Sequence, residues 1–487
     1  MPNEGLKVCM ASSEASPLAR TGGLGDVVGA LPKVLADLGV RVSLLLPAYR
    51  CVLQGPFPLE DTGIALSVSV SGQREEAVLL RTRLDSAVPV DLVRADHYFD
   101  RVHLYGPPGQ DYPDNARRFV FFCRAVLEAL RREPPHILHC HDWQTALAIA
   151  FLKAQPQRYP ELAGVKTVFT VHNLGYQGLF WHLDWHLLEL PWEFFTPHFM
   201  EFYGRINFLK GGLVFADAIT TVSPTYAQEV QTPEYGFGLE GVFRERRDAL
   251  VGILNGVDEQ VWNPQTDAFI AQRYNRRSVV AGKRACKADL KKTLGLTADE
   301  RVPLIGMVSR LVEQKGLDLV MEGWQALLDI GVQFVLLGQG EERYESFVRE
   351  AVAHHPGQVG AHLAFDDALA HKIMAGADML LMPSRYEPSG LTQMYALRYG
   401  TVPIVRATGG LKDTVQEYDP STGQGTGFLF ERYTAEAMLE AVGRALALYR
   451  RRREWIRLVR NGMGADFSWR RSAQEYLAVY QRLVGRK

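Results

Sequence analysis

Ser384-Arg385-Tyr386-Glu387-Pro388-Ser389-Gly390-Leu391-Thr392-Gln393 follows the apolar run Met379-Leu380-Leu381-Met382 and precedes a helical pattern over residues 394–399. The order is strand, loop, helix. Pro388 and Gly390 punctuate the loop, and the amides of Gly390, Leu391 and Thr392 open the helix, where unpaired N–H groups and the helix dipole favour an anion such as a diphosphate. Glu387 then lies beside an anion site. A carboxylate is a poor phosphate ligand but a good acceptor for sugar hydroxyls, with a helix-capping loop and a solvated Glu as the structural alternative.

Working outward, apolar strands at residues 304–308, 333–337, 361–365, 379–382 and 401–405 alternate with helical patterns, so this half reads as a doubly wound α/β domain with a parallel sheet. Ligands of such sheets bind at the carboxyl ends of the strands. Directly after the first of these strands comes Ser309-Arg310-Leu311-Val312-Glu313-Gln314-Lys315-Gly316, followed by a helical pattern over residues 317–328. Arg310 offers a planar fork and Lys315 a point charge, a pair suited to two phosphates and to a departing diphosphate. Gly338-Gln339-Gly340 and Gly409-Gly410-Leu411-Lys412-Asp413 add glycine-rich turns at two further strand ends. Arg450 to Arg453 reads as a solvated helix end.

The amino-terminal half repeats the theme. Residues 7–11 form a buried strand, residues 12–25 a loop, and Val28, Leu31, Val34, Leu35 and Leu38 recur at helical spacing up to a C-cap at Gly39, with the next strand at 42–46. The loop Arg20-Thr21-Gly22-Gly23-Leu24-Gly25-Asp26 is therefore at a binding edge, where paired glycines let backbone approach a phosphate and Arg20 supplies charge. Strands at 137–140 and 167–171 end in His139-Cys140-His141-Asp142-Trp143 and His172-Asn173, and others fall at 218–222 and 251–254. An H-x-H pair can bind metal, but no third ligand stands nearby in sequence, so a sugar-binding or core role is expected for these histidines. Asn255-Gly256-Val257-Asp258 has the chemistry of a positive-φ turn. The aromatic-rich stretch 180–215 reads as an insertion packed over the sheet, with stacking on sugar rings as the alternative. The polar, basic stretch 274–298 reads as a domain junction, with the shift from one domain to the next near residue 258.

Composition sets the limits. The 487 residues hold two large cores with room to spare; 47% hydrophobic and 22% charged residues describe a globular protein, and a net charge of −1 offers no global attraction for nucleic acid or an anionic membrane. Five cysteines, widely spaced and without a C-x-x-C pair, indicate neither a disulfide framework nor a zinc site. The first apolar run is too short for a signal sequence or a membrane span, so a cytoplasmic location is expected.

These motifs together resemble the bacterial glycogen synthases and plant starch synthases. The resemblance spans nearly the whole chain and is carried by residues 20–26 (the family's Lys-x-Gly-Gly-Leu loop), Asp114-Asn115 with Arg118-Phe119, His141-Asp142-Trp143, residues 170–178 with Phe180, Phe208-Leu209-Lys210, residues 222–226, Asn255-Gly256-Val257-Asp258, and residues 309–316, 383–393 and 408–415. It implies a GT-B fold of two Rossmann-like domains facing a cleft: residues 1–258, residues 259–467, and a carboxy-terminal helix, 468–487, crossing back to the first domain. It implies retaining transfer of glucose from ADP-glucose to the non-reducing end of an α-1,4-glucan, with no cofactor and no metal.

By position, His141, Glu387, Arg310 and Lys315 are the implied catalytic residues. Arg20, Gly22, Gly23, Asn255, Ser389, Gly390, Leu391 and Thr392 complete the donor site, and Asp26, Tyr105 and Asn173 stand on the sugar and acceptor side. Two positions depart from the family pattern: Arg20 replaces the usual Lys, and Ser389 replaces the Cys often found after Glu-Pro. A UDP-glucose transferase, a transferase with a small acceptor, an inactive glucan-binding homologue and a sugar-nucleotide isomerase are the alternatives.

Overall fold

A computed structural model describes residues 5–85, 88–107 and 109–485. The chain divides into two compact units, Met1–Leu254 with Trp469–Lys487, and Asn255–Ser468. The division falls after Leu254, four residues before the expected 258, because the strand that ends the first sheet stops at Gly252 and Val257 bridges in parallel to Ser468 within the second unit.

The first unit is built on a nine-stranded sheet formed by β1 (Lys7–Ala11), β2 (Arg41–Pro47), β3 (Glu60–Val70), β4 (Gln73–Leu84), β5 (Val88–Arg94), β6 (Ile137–His141), β7 (Lys166–Val171), β11 (Ala218–Thr221) and β12 (Leu250–Gly252). Between the last pairs lie the short strands β8 (Leu179–Trp181), β9 (Glu201–Phe202) and β10 (Arg205–Asn207), a separate antiparallel sheet. The order is β12-β11-β7-β6-β1-β2-β5-β4-β3, parallel except for β4, which runs against both neighbours. The near-continuous apolar run of β1 follows from burial on both faces, and β6, buried throughout, holds two histidines within it. The helix Gly23–Asp37 begins inside the glycine loop, three residues before the expected start, with Gly25 N already donating to Gly22 O at 3.1 Å. The carboxy-terminal helix Trp469–Leu483 returns to this unit, packs on Gly23–Asp37 and buries Trp469, Tyr476 and Tyr480 in its core.

The second unit is a six-stranded parallel sheet of β13 (Leu304–Val308), β14 (Gln333–Leu337), β15 (Val359–His362), β16 (Met379–Met382), β17 (Val402–Arg406) and β18 (Phe428–Phe430), ordered β15-β14-β13-β16-β17-β18. β15 ends at His362 rather than running to 365. Leu337, the last residue of β14, pairs with His362, and the chain then turns into a helix capped by Asp366, leaving Phe365 exposed. The expected helix over 317–328 is two helices, Leu317–Glu322 and Trp324–Asp329, separated at Gly323. Glycine is a poor helix interior residue, and a side chain here would press on Leu439 and Met438.

The basic stretch read as a junction is instead the helix Val279–Thr293. Its Lys283, Lys287 and Lys291 recur every fourth residue on one inward face; the Lys287 ammonium pairs with Asp378 at 2.6 Å, and Lys283 donates to Thr401 Oγ1. Residues 255–258 are not among the described positive-φ positions, so that turn is made without left-handed backbone. In the aromatic stretch, Trp185 and Phe208 pack inward as expected, while Trp181, Trp192 and Tyr203 are exposed.

Candidate functional site

Each sheet reverses its strand order at one place, between β1 and β6 in the first unit and between β13 and β16 in the second. At such a switch point the loops from neighbouring strands leave in opposite directions, opening a crevice at the carboxyl edge. The site residues named from the sequence gather at these two edges.

In the second unit the loop after β13 and the loop after β16 interlock. Arg385 N donates to Gln314 O at 2.9 Å, Gln314 Nε2 donates to Tyr386 O at 3.3 Å, and Lys315 Nζ donates to Glu387 Oε2 at 2.6 Å. Ser384 Oγ donates to the same Glu387 oxygen at 3.0 Å. Glu387 and Lys315, assigned opposite tasks, thus form a largely buried ion pair, with side-chain exposures of 8% and 17%. An arriving phosphate competes with Glu387 for the ammonium, and a carboxylate released from it is open to hydroxyl donors.

Glycines make the interlock possible. A Cβ on Gly316 would lie inside the Pro383 carbonyl, one on Gly409 inside that of Glu387, and one on Gly410 inside that of Ser389. Gly410 N donates to Glu387 O at 3.0 Å, so the turn after β17 carries the Glu387 loop on its backbone. Gly338 and Gly340 meet the carbonyls of Ser309 and Leu311 in the same way, holding the β14 turn against the loop that contains Arg310. Arg310 itself is exposed at this edge.

Gly390 adopts φ +66°, and the helix Thr392–Tyr399 starts two residues later with Leu391 as its cap and no side chain capping it. The Gln393 side-chain amide donates to Ser389 O at 3.0 Å and Gly390 O at 2.8 Å, turning those carbonyls inward and the loop amides out. Several buried polar atoms at this edge have no protein partner, Ser309 Oγ, Ser389 Oγ and Gln393 Oε1, and the same holds for Asn255 Oδ1 after the last strand of the first sheet. Buried polar groups are almost always paired, so orphans gathered on candidate binding residues point to partners that arrive with a ligand.

At the first unit's edge the arrangement centres on a residue that the sequence reading passed over. Glu14, 3% exposed, accepts from Thr21 N at 2.6 Å, Thr21 Oγ1 at 2.6 Å, Gly22 N at 3.3 Å and Tyr105 OH at 2.7 Å. Four donors on one carboxylate make its burial tolerable, and they fix the glycine loop from beneath. With the Thr21 and Gly22 amides committed, the first-turn amides of Gly23 and Leu24 are the ones the loop presents. Tyr105, placed on the sugar side by the resemblance, spends its hydroxyl proton on Glu14 and accepts from Ser13 Oγ at 2.7 Å, so it serves the loop. An acidic residue straight after a buried strand was the available sequence signal. Arg20 and Asp26 join in a fork, Nε to Oδ1 at 2.8 Å and Nη2 to Oδ2 at 3.1 Å, a geometry that the usual Lys cannot make.

The strand ends of β6 and β7 carry the histidines. His139 is satisfied on both nitrogens, by Tyr480 OH at 2.8 Å and Thr170 Oγ1 at 2.6 Å, and burial, with His172 nearby, drives its pKa down to about 3: it is a core residue. His141 has no exposed surface; its ring stacks on His139 at 4.1 Å, its Nδ1 lies 3.0 Å from His172 Nε2, and its Nε2 is buried without a partner. His172, 8% exposed, lies outward of it. His141 and His172 thus meet ring to ring at the carboxyl ends of β6 and β7. Asn173 Oδ1 accepts from Gly175 N at 2.9 Å and shapes its own turn. Among the described residues no group of three or more His, Cys, Asp or Glu is arranged to hold a metal ion.

Asp142 caps the helix Trp143–Ala154 from a left-handed conformation, φ +56°, unusual for a residue with a side chain, and its Oδ1 accepts from His172 N at 2.7 Å. Burial pushes its carboxyl up to about 7, against the hydrogen bond from the His172 amide and with the Glu14 charge adding to the rise. A carboxyl raised in the fold from an unfolded value of about 3.9 binds its proton more tightly when folded. Its contribution is thus most favourable below about pH 4 and is lost as pH rises towards 7. The Asp142→Asn variant is expected to lack this loss: its melting temperature relative to the parent should climb between those pH values, checked by thermal denaturation across the range.

Comparison with known proteins agrees with this geometry. Residues 7–245 match the family model described as starch synthase catalytic domain, and residues 291–461 match glycosyl transferases group 1. The glycogen synthase of Koribacter versatilis is 48% identical over 480 residues, 98% of each chain, and glycogen synthase 2 of Geobacter sulfurreducens is 48% identical over 482 residues, again 98% of each. The catalytic domain of starch synthase IV from Arabidopsis thaliana, solved bound to ADP and acarbose, superposes with a TM-score of 0.91 at 36% identity, over 99% of this chain and 100% of that one. A sucrose-phosphate synthase from Thermosynechococcus elongatus shares the fold at 18% identity and a TM-score of 0.60, over 99% of this chain and 100% of that one.

Proposed function

We infer the reaction from one premise: this chain belongs to the glycogen and starch synthase family of GT-B glucosyltransferases, and its activity is transfer of glucose from a nucleotide sugar in the synthesis of glycogen. We propose ADP-glucose as the donor and the non-reducing end of an α-1,4-glucan as the acceptor, with retention at the anomeric carbon. The observation that carries the reading is the Lys315–Glu387 pair: a cation for the diphosphate and a carboxylate for the glucose hydroxyls, on interlocked loops at a switch point. That the starch synthase IV domain was solved with ADP and acarbose supports both halves of the assignment.

In this reading Lys315 and Arg310 take up charge as the glycosidic bond breaks towards the diphosphate, so that a divalent metal has no task. Loop amides from Gly390 to Thr392 bind the same anion, and Ser389 and Asn255 gain partners for their orphaned oxygens. Glu387 accepts from glucose hydroxyls. At the first unit's edge the glycine loop, held by Glu14, presents its amides to an anion, and His141, its Nε2 without a protein partner, lines the reaction centre with His172 beside it. No carboxylate is placed as a covalent nucleophile, which favours a path in which the departing diphosphate assists deprotonation of the acceptor hydroxyl on the same face. A cytoplasmic site of action belongs to the proposal, supported by five free cysteines and by the absence, among the described residues, of any helix long and apolar enough to cross a membrane.

The deciding experiment measures labelled glucose entering glycogen from ADP-glucose and from UDP-glucose, with EDTA present. Faster transfer from ADP-glucose is the expected result; preference for UDP-glucose overturns the donor assignment, and loss of transfer with EDTA overturns the metal-free path. Glu14→Gln tests the loop. An amide presents one donor edge where the carboxylate accepted on both, so either the loop amides or the two hydroxyls lose their acceptor. The Michaelis constant for donor is expected to rise about tenfold, the scale of one buried polar group left unpaired. Unchanged kinetics in a folded variant would refute the role.

A further inference from the structure

A trans peptide carries its N–H on the side opposite its C=O, so fixing the direction of one fixes the other. The peptide joining Ser389 to Gly390 and the one joining Gly390 to Leu391 are both fixed in this way, by a single side chain. Gln393 has no exposed surface, and its Nε2 lies 3.0 Å from Ser389 O and 2.8 Å from Gly390 O. With those carbonyls drawn towards the helix Thr392–Tyr399, the N–H groups of Gly390 and Leu391 face the other way, and among the described residues neither donates to a protein acceptor. Such control matters at this place. Gly390 stands at φ +66°, and a glycine lets the peptide planes on either side of it turn over at small steric cost. A turned plane would put a carbonyl oxygen where a diphosphate meets an N–H.

The amide of Gln393 is oriented by the same contacts. Its nitrogen has three acceptors in reach, the two carbonyls and Thr414 Oγ1 at 3.1 Å, whereas its oxygen has no protein partner. The reversed amide would set Oε1 against two carbonyl oxygens. Thr414 is itself anchored. Its Oγ1 donates to Gly410 O at 2.6 Å, and Gly410 N donates to Glu387 O at 3.0 Å, so the amide is braced on the same turn that carries the Glu387 loop.

We propose that Gln393, braced by Thr414, is a positioning residue for the donor's diphosphate: its side-chain amide fixes the two peptide planes that aim the Gly390 and Leu391 N–H groups at the anion. The inference rests on the proposed function for the identity of that anion, while the peptide geometry stands without it. Gln393 acts through the backbone, from behind the loop.

The test compares ADP with adenosine, which has the same base and ribose but no phosphate. Gln393→Met keeps the length and bulk of the side chain without its amide. By titration calorimetry ADP should bind this variant about tenfold more weakly than the parent, the scale of one hydrogen bond to a charged group, while adenosine binds both alike. In steady state the Michaelis constant for ADP-glucose should rise by a similar factor with a smaller fall in kcat, as expected of contacts made before as well as during transfer. Thr414→Val removes the brace and keeps the shape; a loss of about threefold for ADP, again with adenosine unchanged, is expected, and this variant decides alone if Gln393→Met does not fold. Unchanged ADP affinity in the folded variant overturns the proposal. So does an equal loss of ADP and adenosine, which marks collapse of the whole site and not turned peptides. A parent that binds ADP no more tightly than adenosine overturns the diphosphate reading underneath, and the role of Gln393 with it.

Discussion

Lys315→Ala is expected to lower glucosyl transfer by on the order of a hundredfold or more, the scale on which a preorganised charge acts when it meets developing negative charge in a site shielded from water. The same substitution strands Glu387, whose carboxylate would keep only the Ser384 hydroxyl and the surrounding loop. Breaking a buried pair from one side costs stability, so the variant should also melt at a lower temperature than the parent. Glu387→Gln provides the matching arm. It removes the competitor for the ammonium, so binding of ADP should hold or tighten while transfer falls. Steady-state kinetics and titration with ADP check both; a folded Lys315→Ala that turns over normally, or a Glu387→Gln that loses ADP, would remove the ion pair from the mechanism.

Gly410→Ala is expected to cost about a hundredfold in transfer, although residue 410 has no catalytic group, because a displacement of about an ångström in a positioned group has effects of that size. The added methyl cannot share space with the Ser389 carbonyl, and the movable partner is the loop that holds Glu387 and Ser389. Gly409, at φ +44°, carries a conformational demand as well, but Gly410 is excluded from bearing a side chain by space alone. A crystal structure of the variant with a shifted 387–390 loop, together with reduced transfer, is the expected outcome; full activity would mean that the loop is not held from below.

Much of this was legible in the sequence because it is local. A buried parallel strand announces itself as an apolar run, and β13, β14 and β16 lie where those runs lie. Where strand, glycine turn and helix follow one another, as at residues 304–328 and 379–399, the binding edge is written in consecutive residues. The long antiparallel pair β3 and β4, their neighbour β5 and the short β18 escaped notice, since antiparallel strands alternate polar with apolar residues and short ones are too brief to leave a pattern. Pairings across sequence were also invisible. Nothing local says that Lys315 reaches Glu387, 72 residues away, that Glu14 takes the hydroxyl proton of Tyr105, or that the lysines of Val279–Thr293 turn inward. Depth was the last thing hidden: His139, His141 and His172 look equivalent at strand ends, and only their hydrogen bonds show that His139 is satisfied on both nitrogens while His141 keeps Nε2 without a protein partner.

The carboxy-terminal helix has a consequence for how the chain is made. Tyr476 and Tyr480 are fully buried in the first unit, and Tyr480 holds the histidine two residues before His141. The first unit therefore cannot close its core until residues 469–483 have left the ribosome, whereas the second unit is one unbroken stretch made before them. A message truncated before residue 469 would yield a protein with every motif intact and an open apolar slot along its first helix, a species that quality control would meet before any substrate did.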